Sequence, residues 1–83
     1  MKVAVRYFAS VREALGAGED AEVAHGADVA ALRDALIARG GRHAEALDRR
    51  RMLRSARNLV LCDEDTALVD GDEIGFFPPL TGG

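Results

Sequence analysis

The chain is 83 residues long and 48% hydrophobic, but 15 of those residues are alanine, so the larger apolar side chains suffice for one small core. That excludes a stand-alone enzyme built around a deep cleft between two lobes and favours a carrier, an inhibitor or a subunit. The net charge of −3 gives no footing for nucleic acid, yet it averages a basic middle with an acidic end: residues 39–57 hold seven arginines against Glu45 and Asp48, while 58–83 hold six acids and no base.

Along the chain, Lys2 to Phe8 sets Val3, Val5 and Tyr7 against Ala4, Arg6 and Phe8, the period-two alternation of a strand. Ser10 to Leu15 reads as a short helical turn closed by Gly16 and Gly18. Asp20 to His25, with Val23 among charged and small residues, is a second strand that forms a hairpin with the first. Asp28 is a helix N-cap, because its carboxylate can accept the orphan amide protons of the first turn. Val29, Leu32, Leu36 and Ile37 then fall at helical spacing, and Arg39 with Gly40-Gly41 marks the end.

A weaker helix is expected over 44–51, and two short strands over Leu53 to Arg57 and Leu59 to Cys62. Val69-Asp70-Gly71-Asp72 is a turn, and Glu73 to Phe77 is the last strand, which Pro78 ends because it cannot donate a ladder hydrogen bond. The order predicts an α+β fold in which a mixed sheet of about five strands packs on one main helix, the β-grasp arrangement. Residues 1–77 form the domain and 78–83 an extended tail.

Ordinary catalytic constellations are missing. Cys62 is the only cysteine, so no internal disulfide or Cys-based zinc site can form, and with no histidine at motif spacing it reads as a buried, inert thiol. His25 and His43 fall on different elements without matched ligands, so no metal is expected. No glycine-rich phosphate loop follows a strand, and no cofactor, ATP included, is expected to bind this chain itself. The amino terminus meets Lys2 and Arg6 before any signal-peptide apolar region, and no apolar run reaches the roughly 20 residues that span a bilayer. A cytoplasmic location without a membrane partner is the expectation. The arginines of 39–57 read as a solvated surface.

The unusual feature is the end, Phe76-Phe77-Pro78-Pro79-Leu80-Thr81-Gly82-Gly83. At ~7% glycine usage a terminal Gly-Gly arises by chance in about one chain in 200, so context must carry the reading. Here the tail leaves directly from a core strand through two prolines that favour an extended start. Extended, it reaches about 20 Å beyond the sheet. Gly82 and Gly83 lack Cβ atoms and can thread a channel that larger side chains would block. The group delivered is the terminal carboxylate, a poor electrophile until an oxygen becomes a leaving group, as in an acyl-adenylate. Gly83 is thus built to be presented inside another protein's active site. Strand alternation adds that if Ile74 and Phe76 enter the core, Phe77 points out and offers an apolar anchor to that partner.

The block from Leu68 to Gly83 closely resembles the end of the small-subunit family of molybdopterin synthase. Tyr7-Phe8-Ala9-Ser10-Val11-Arg12-Glu13 is similar to that family's Phe-Ala-x-x-Arg-Glu signature, and Asn58 fits its hairpin asparagine. The resemblance covers the whole chain and implies a ubiquitin-like sulfur carrier. It implies that an adenylating enzyme of the ubiquitin-activating type uses ATP and Mg²⁺ to adenylate Gly83, and that a sulfur-donating enzyme converts the adenylate to a thiocarboxylate. The tail would then enter the large subunit, in an assembly of two small and two large subunits, and give sulfur to a cyclic pyranopterin precursor. On this reading Gly82 supplies clearance, Pro78, Pro79, Leu80 and Thr81 line the partner's channel, and Arg12 is a partner contact, or Arg12 and Glu13 simply pair with each other or cap the turn. Arg57 departs from the family, which carries an apolar residue there; either its strand is an edge with a solvated face, or the pairing differs. Sulfur carriers for thiamine or tRNA thiolation, a ubiquitin-like modifier and a plain binding module remain the alternatives.

Overall fold

Eight elements follow one another in the computed structural model, which describes residues 1–79: β1 (Lys2–Tyr7), α1 (Ala9–Leu15), β2 (Gly18–Glu22), α2 (Val29–Ile37), α3 (Gly41–Ala46), β3 (Arg54–Arg57), β4 (Val60–Cys62) and β5 (Glu73–Phe77). The strands form one five-stranded sheet in the order β2-β1-β5-β3-β4. β1 runs parallel to β5, and every other neighbouring pair is antiparallel. This is the β-grasp arrangement that the sequence predicts. Its consequence is that the last strand in sequence lies inside the sheet. Phe76 faces Tyr7 on one side and Ser55 on the other, so the chain's end leaves from backbone held along both edges.

The alternation of β1 and β5 decides which face is dry. Val3, Val5, Tyr7, Ile74 and Phe76 are buried on one side, where Val29, Leu32 and Leu36 of α2 meet them with Val11, Leu47 and Leu68. Burying each of the larger side chains is worth about 1.5–3 kcal/mol. Asp28 caps α2 as expected, its Oδ1 accepting the amide of Ala31 at 2.8 Å.

The structure departs from the sequence reading in two elements. The second strand starts at Gly18, where a Cβ would come within 2.3 Å of the Val5 carbonyl oxygen, so pairing with β1 at this point requires glycine. Val23 lies just past this strand, its amide bonded to the Met1 carbonyl. The helix expected over 44–51 instead occupies Gly41–Ala46. Gly40, at φ 76°, turns the chain out of α2, and Gly41 already belongs to the next helix.

Residues 47–51 are held out of helix by Arg33, a buried arginine on α2 that is only 3% exposed. Its Nε donates to the Leu47 carbonyl and its terminal nitrogens to those of Asp48 and Arg51, while Glu64 takes the remaining bond at 2.8 Å. Burial pushes the Glu64 carboxyl up, but the bonds from Arg33 and Arg49 outweigh it and hold the group below its usual range.

Among the described residues no helix is long and apolar enough to cross a membrane.

Candidate functional site

Pro78 and Pro79 follow β5 directly, both half-buried, and mark the root of the tail. Leu80, Thr81, Gly82 and Gly83, which carry most of the expected chemistry, lie outside the described residues, so the site visible here is the platform that launches them.

That platform is the sheet face turned away from the helices. Ile74 and Phe76 are buried in the core, as alternation requires, and Phe77 takes the opposite face. Phe77 is half-buried there because Phe8 packs against it edge-on, with ring centroids 6.4 Å apart and an interplanar angle of 81°. The Phe8 ring also covers Gly75, where a Cβ would come within 2.9 Å of Cε2. Beside Gly75 the register places Ala56 and then Leu61, which is 59% exposed. Phe77, Phe8, Ala56 and Leu61 thus make an apolar strip across the outer face, with Arg54 beside Phe77 and Arg6 beside Gly75. Phe8 is itself 43% exposed, an unusual amount of aromatic surface to leave in water without a partner. Sequence reasoning found Phe77 but passed over Phe8 and Leu61. The available signal was the run Leu59-Val60-Leu61, too apolar for a short strand with one wet face.

The Asn58 of the family signature fixes where β5 begins. Asn58 and Leu59 take φ of 51° and 71°, the left-handed pair that a tight hairpin needs. The Asn58 Oδ1 accepts the Glu73 amide at 2.9 Å, and its Nδ2 donates to Asp72 at 3.0 Å. Asp72 also accepts the Val69 amide at 2.8 Å. Its burial raises the carboxyl, yet these bonds and nearby Arg57 bring it below the usual range. Arg57 itself lies on β3, which is flanked by β5 and β4 and is no edge. Its guanidinium reaches over to the Ala67 carbonyl at 3.0 Å and lies 3.9 Å from Asp72, which explains a charge where the family has an apolar side chain.

The remaining candidates divide. Arg12 is exposed on α1, and neither it nor Glu13 enters an ion pair among the described residues, so the pairing weighed for them is not formed. Cys62 is half-buried rather than buried, because β4 is an edge strand of the sheet, and its Sγ lies 3.8 Å from the Ser55 hydroxyl. His25 is exposed. His43 is on α3 and bonds Glu19 Oε2 at 2.6 Å, the same oxygen that accepts the buried Tyr7 hydroxyl at 2.7 Å. Arg39 pairs with the other Glu19 oxygen. Burial favours the neutral Glu19 carboxyl, but the three donors His43, Arg39 and Tyr7 overcome it and bring the group down to about 2. The cluster ties α3 and the segment after α2 to the β1–β2 hairpin. Among the described residues no group of three or more His, Cys, Asp or Glu could hold a metal ion.

Comparison with known proteins agrees with this geometry. The model of the ThiS family matches residues 5–83. The molybdopterin synthase sulfur carrier subunit of Escherichia coli K12 is 42% identical over 81 residues, covering 98% of this chain and 99% of that one. Among solved structures, SAMP1 (small archaeal modifier protein 1) from Haloferax volcanii superposes with a TM-score of 0.78 at 26% identity, over the whole of both chains. The complex of subunits 1 and 2 of molybdopterin-converting factor from Helicobacter pylori contains a chain with a TM-score of 0.69 at 31% identity, again over the whole of both chains.

Proposed function

This chain belongs to the ThiS family, alongside the molybdopterin synthase sulfur carrier subunits, and on that premise we propose that it carries sulfur for molybdenum cofactor biosynthesis on its C-terminal glycine. One observation supports the reading above the others: the last strand is central, anchored by buried Phe76, and releases the tail through Pro78 beside an exposed aromatic platform. A tail launched from fixed backbone presents its end at a defined distance and direction, which is what delivery into another protein's active site demands.

The chemistry runs in two stages. The Gly83 carboxylate attacks the α-phosphate of ATP, held with Mg²⁺ by an adenylating enzyme of the ubiquitin-activating type, and pyrophosphate leaves. Sulfur at the sulfide level, brought by a sulfur-donating enzyme, then attacks the acyl carbon and expels AMP, leaving a thiocarboxylate. In the large subunit the thiocarboxylate sulfur attacks a carbon of the cyclic pyranopterin precursor and displaces an oxygen leaving group. Water then cleaves the acyl–sulfur bond and restores the Gly83 carboxylate, and two such transfers complete a dithiolene. Gly82 provides clearance, and Pro78, Pro79, Leu80 and Thr81 fit the channel wall. Phe77, with Phe8 and Leu61, docks on the large subunit, and Arg12, exposed on α1, adds a polar contact. The catalytic groups belong to the partners, and two carriers serve two large subunits. The need for ATP and reduced sulfur places the process in the cytoplasm.

Reconstitution tests the proposal. Combined with large subunit, adenylating enzyme, ATP, Mg²⁺, sulfur donor and precursor, the full chain supports dithiolene formation and a chain lacking Gly83 does not. Equal product from both chains would overturn it. The likeness to SAMP1 favours a second reading, attachment to lysines of other proteins. A stable bond from Gly83 to a target lysine would support that reading; Lys2 is the one lysine this chain could offer in return.

A further inference from the structure

A groove of about 670 Å³ opens at the tail root, on the side of β5 away from the Phe8–Phe77 strip. Val11 and Ala14 of α1 form one wall, Ala46 of α3 the other, Leu53 and Met52 the end before β3, and Pro78 closes it where the tail departs. The carbonyls bonded by Arg33 hold the approach to Met52, so this wall is fixed. Met52 is nevertheless 81% exposed, a large apolar side chain standing in water at the rim of a groove that Ser10, Glu45 and Arg51 also line. Glu13 and Arg42 stand on opposite walls, and neither enters an ion pair among the described residues.

We infer that this groove is a second docking site for the large subunit, filled by a segment from the rim of its tail channel that carries an apolar side chain. The inference rests on the proposed delivery of the tail into that subunit. A channel that receives the tail from Pro78 onward has its rim against whatever surrounds Pro78, and the groove is bounded by Pro78 itself. The apolar side chain takes the place of water over Ala14, Ala46 and Leu53 and covers Met52. The carrier is then gripped on both sides of its last strand, by the Phe8–Phe77 strip on the outer face and by the α1–α3 groove on the inner one. Two separated contacts fix the direction of the tail as well as its position, which one flat strip cannot do.

Binding of the large subunit is measured by calorimetry for the full-length chain and for Met52→Glu, Ala14→Glu and Phe77→Ala, each first shown to be folded by its amide spectrum. Both groove variants bind at least about tenfold more weakly, and Ala14, Ala46 and Leu53 amides shift when the large subunit is added to the unmodified chain. Affinities within twofold of the unmodified chain for both groove variants, alongside weakened Phe77→Ala, would overturn the groove and leave the sulfur-carrier reading standing. Movement of the Ala14 and Ala46 resonances when the free chain is cut after Pro79 would assign the groove to the chain's own tail and also overturn the inference. Failure of the unmodified chain to bind the large subunit at all would overturn the sulfur-carrier reading together with it.

Discussion

Phe8 stands edge-on to Phe77, 6.4 Å between ring centroids, and the same ring lies over Gly75, so the residue after the first strand shapes the surface beside the last one. Two segments that begin and end the domain thereby make one apolar platform at the root of the tail. Truncating either ring to alanine removes exposed or half-exposed surface, so stability falls by less than about 1.5 kcal/mol. Affinity for the large subunit falls more, at least about tenfold for each variant. Urea melts beside calorimetric titrations check both halves, and a stability loss larger than the affinity loss would return these rings to the core.

Gly75 gives a finer test of the same platform. The atom that a new Cβ would meet is at the far end of the Phe8 ring, which is exposed enough to swing aside. Gly75→Ala therefore costs stability only about 1 kcal/mol or less, while displacing Phe8 from Phe77. The aromatic proton shifts of both rings move, and large-subunit binding weakens.

Arg33 is where a single change does most damage to the fold. Replacement by leucine strands the carbonyls of Leu47, Asp48 and Arg51 and leaves Glu64 without one of its cations. A loss on the order of 3 kcal/mol is expected, mainly from the carbonyls left without a donor. Chemical denaturation measures it, and a loss below 1 kcal/mol, by the scale of surface substitutions, would contradict the hub role.

Asn58 combines two functions that substitution separates. Asn58→Gly keeps easy access to the left-handed backbone at φ 51° but gives up the side-chain bonds to Glu73 and Asp72. Asn58→Ala gives up both, and left-handed strain adds roughly 1 kcal/mol. The alanine variant is thus the less stable of the two in thermal melts, and the reverse order would contradict the turn geometry.

The pH dependence follows from Glu19. Its folded-state value of about 2 lies below the ordinary 4.5, so its contribution is fully present above the ordinary value and is lost as pH falls through about 2. With its side chain about a quarter exposed, the contribution is on the order of 2 kcal/mol. Other depressed carboxyls, Glu64 and Asp72, act in the same direction, so the informative quantity is the stability gap between the unmodified chain and Glu19→Gln. That gap is largest near neutrality and closes toward pH 2. A gap that does not change with pH would remove Glu19 from the account.

Local patterns in the chain carried the strands β1 and β5, the end of β5 at Pro78, and the helix α2 with its Asp28 cap, because alternation, proline chemistry and capping each act over a few residues. The placement of α3 was hidden, since Gly40-Gly41 reads as a stop while Gly41 also starts the next helix. Arg33 and the Glu19–His43–Tyr7–Arg39 cluster were hidden for a different reason. Their partners lie 12 to 31 residues away, and nothing in a local pattern marks a charged residue as buried until the sheet brings its acceptors together. Phe77 was legible from its strand, whereas Phe8 needed the parallel pairing of β1 with β5.

The central claim is chemical and has a direct readout. After incubation with adenylating enzyme, ATP, Mg²⁺ and a sulfur donor, the intact chain gains the mass of one sulfur in place of one oxygen, and fragmentation assigns the change to Gly83. Cys62→Ala gives the same product. An unchanged mass under conditions that convert an established carrier, or sulfur located on Cys62 instead of Gly83, would contradict the account.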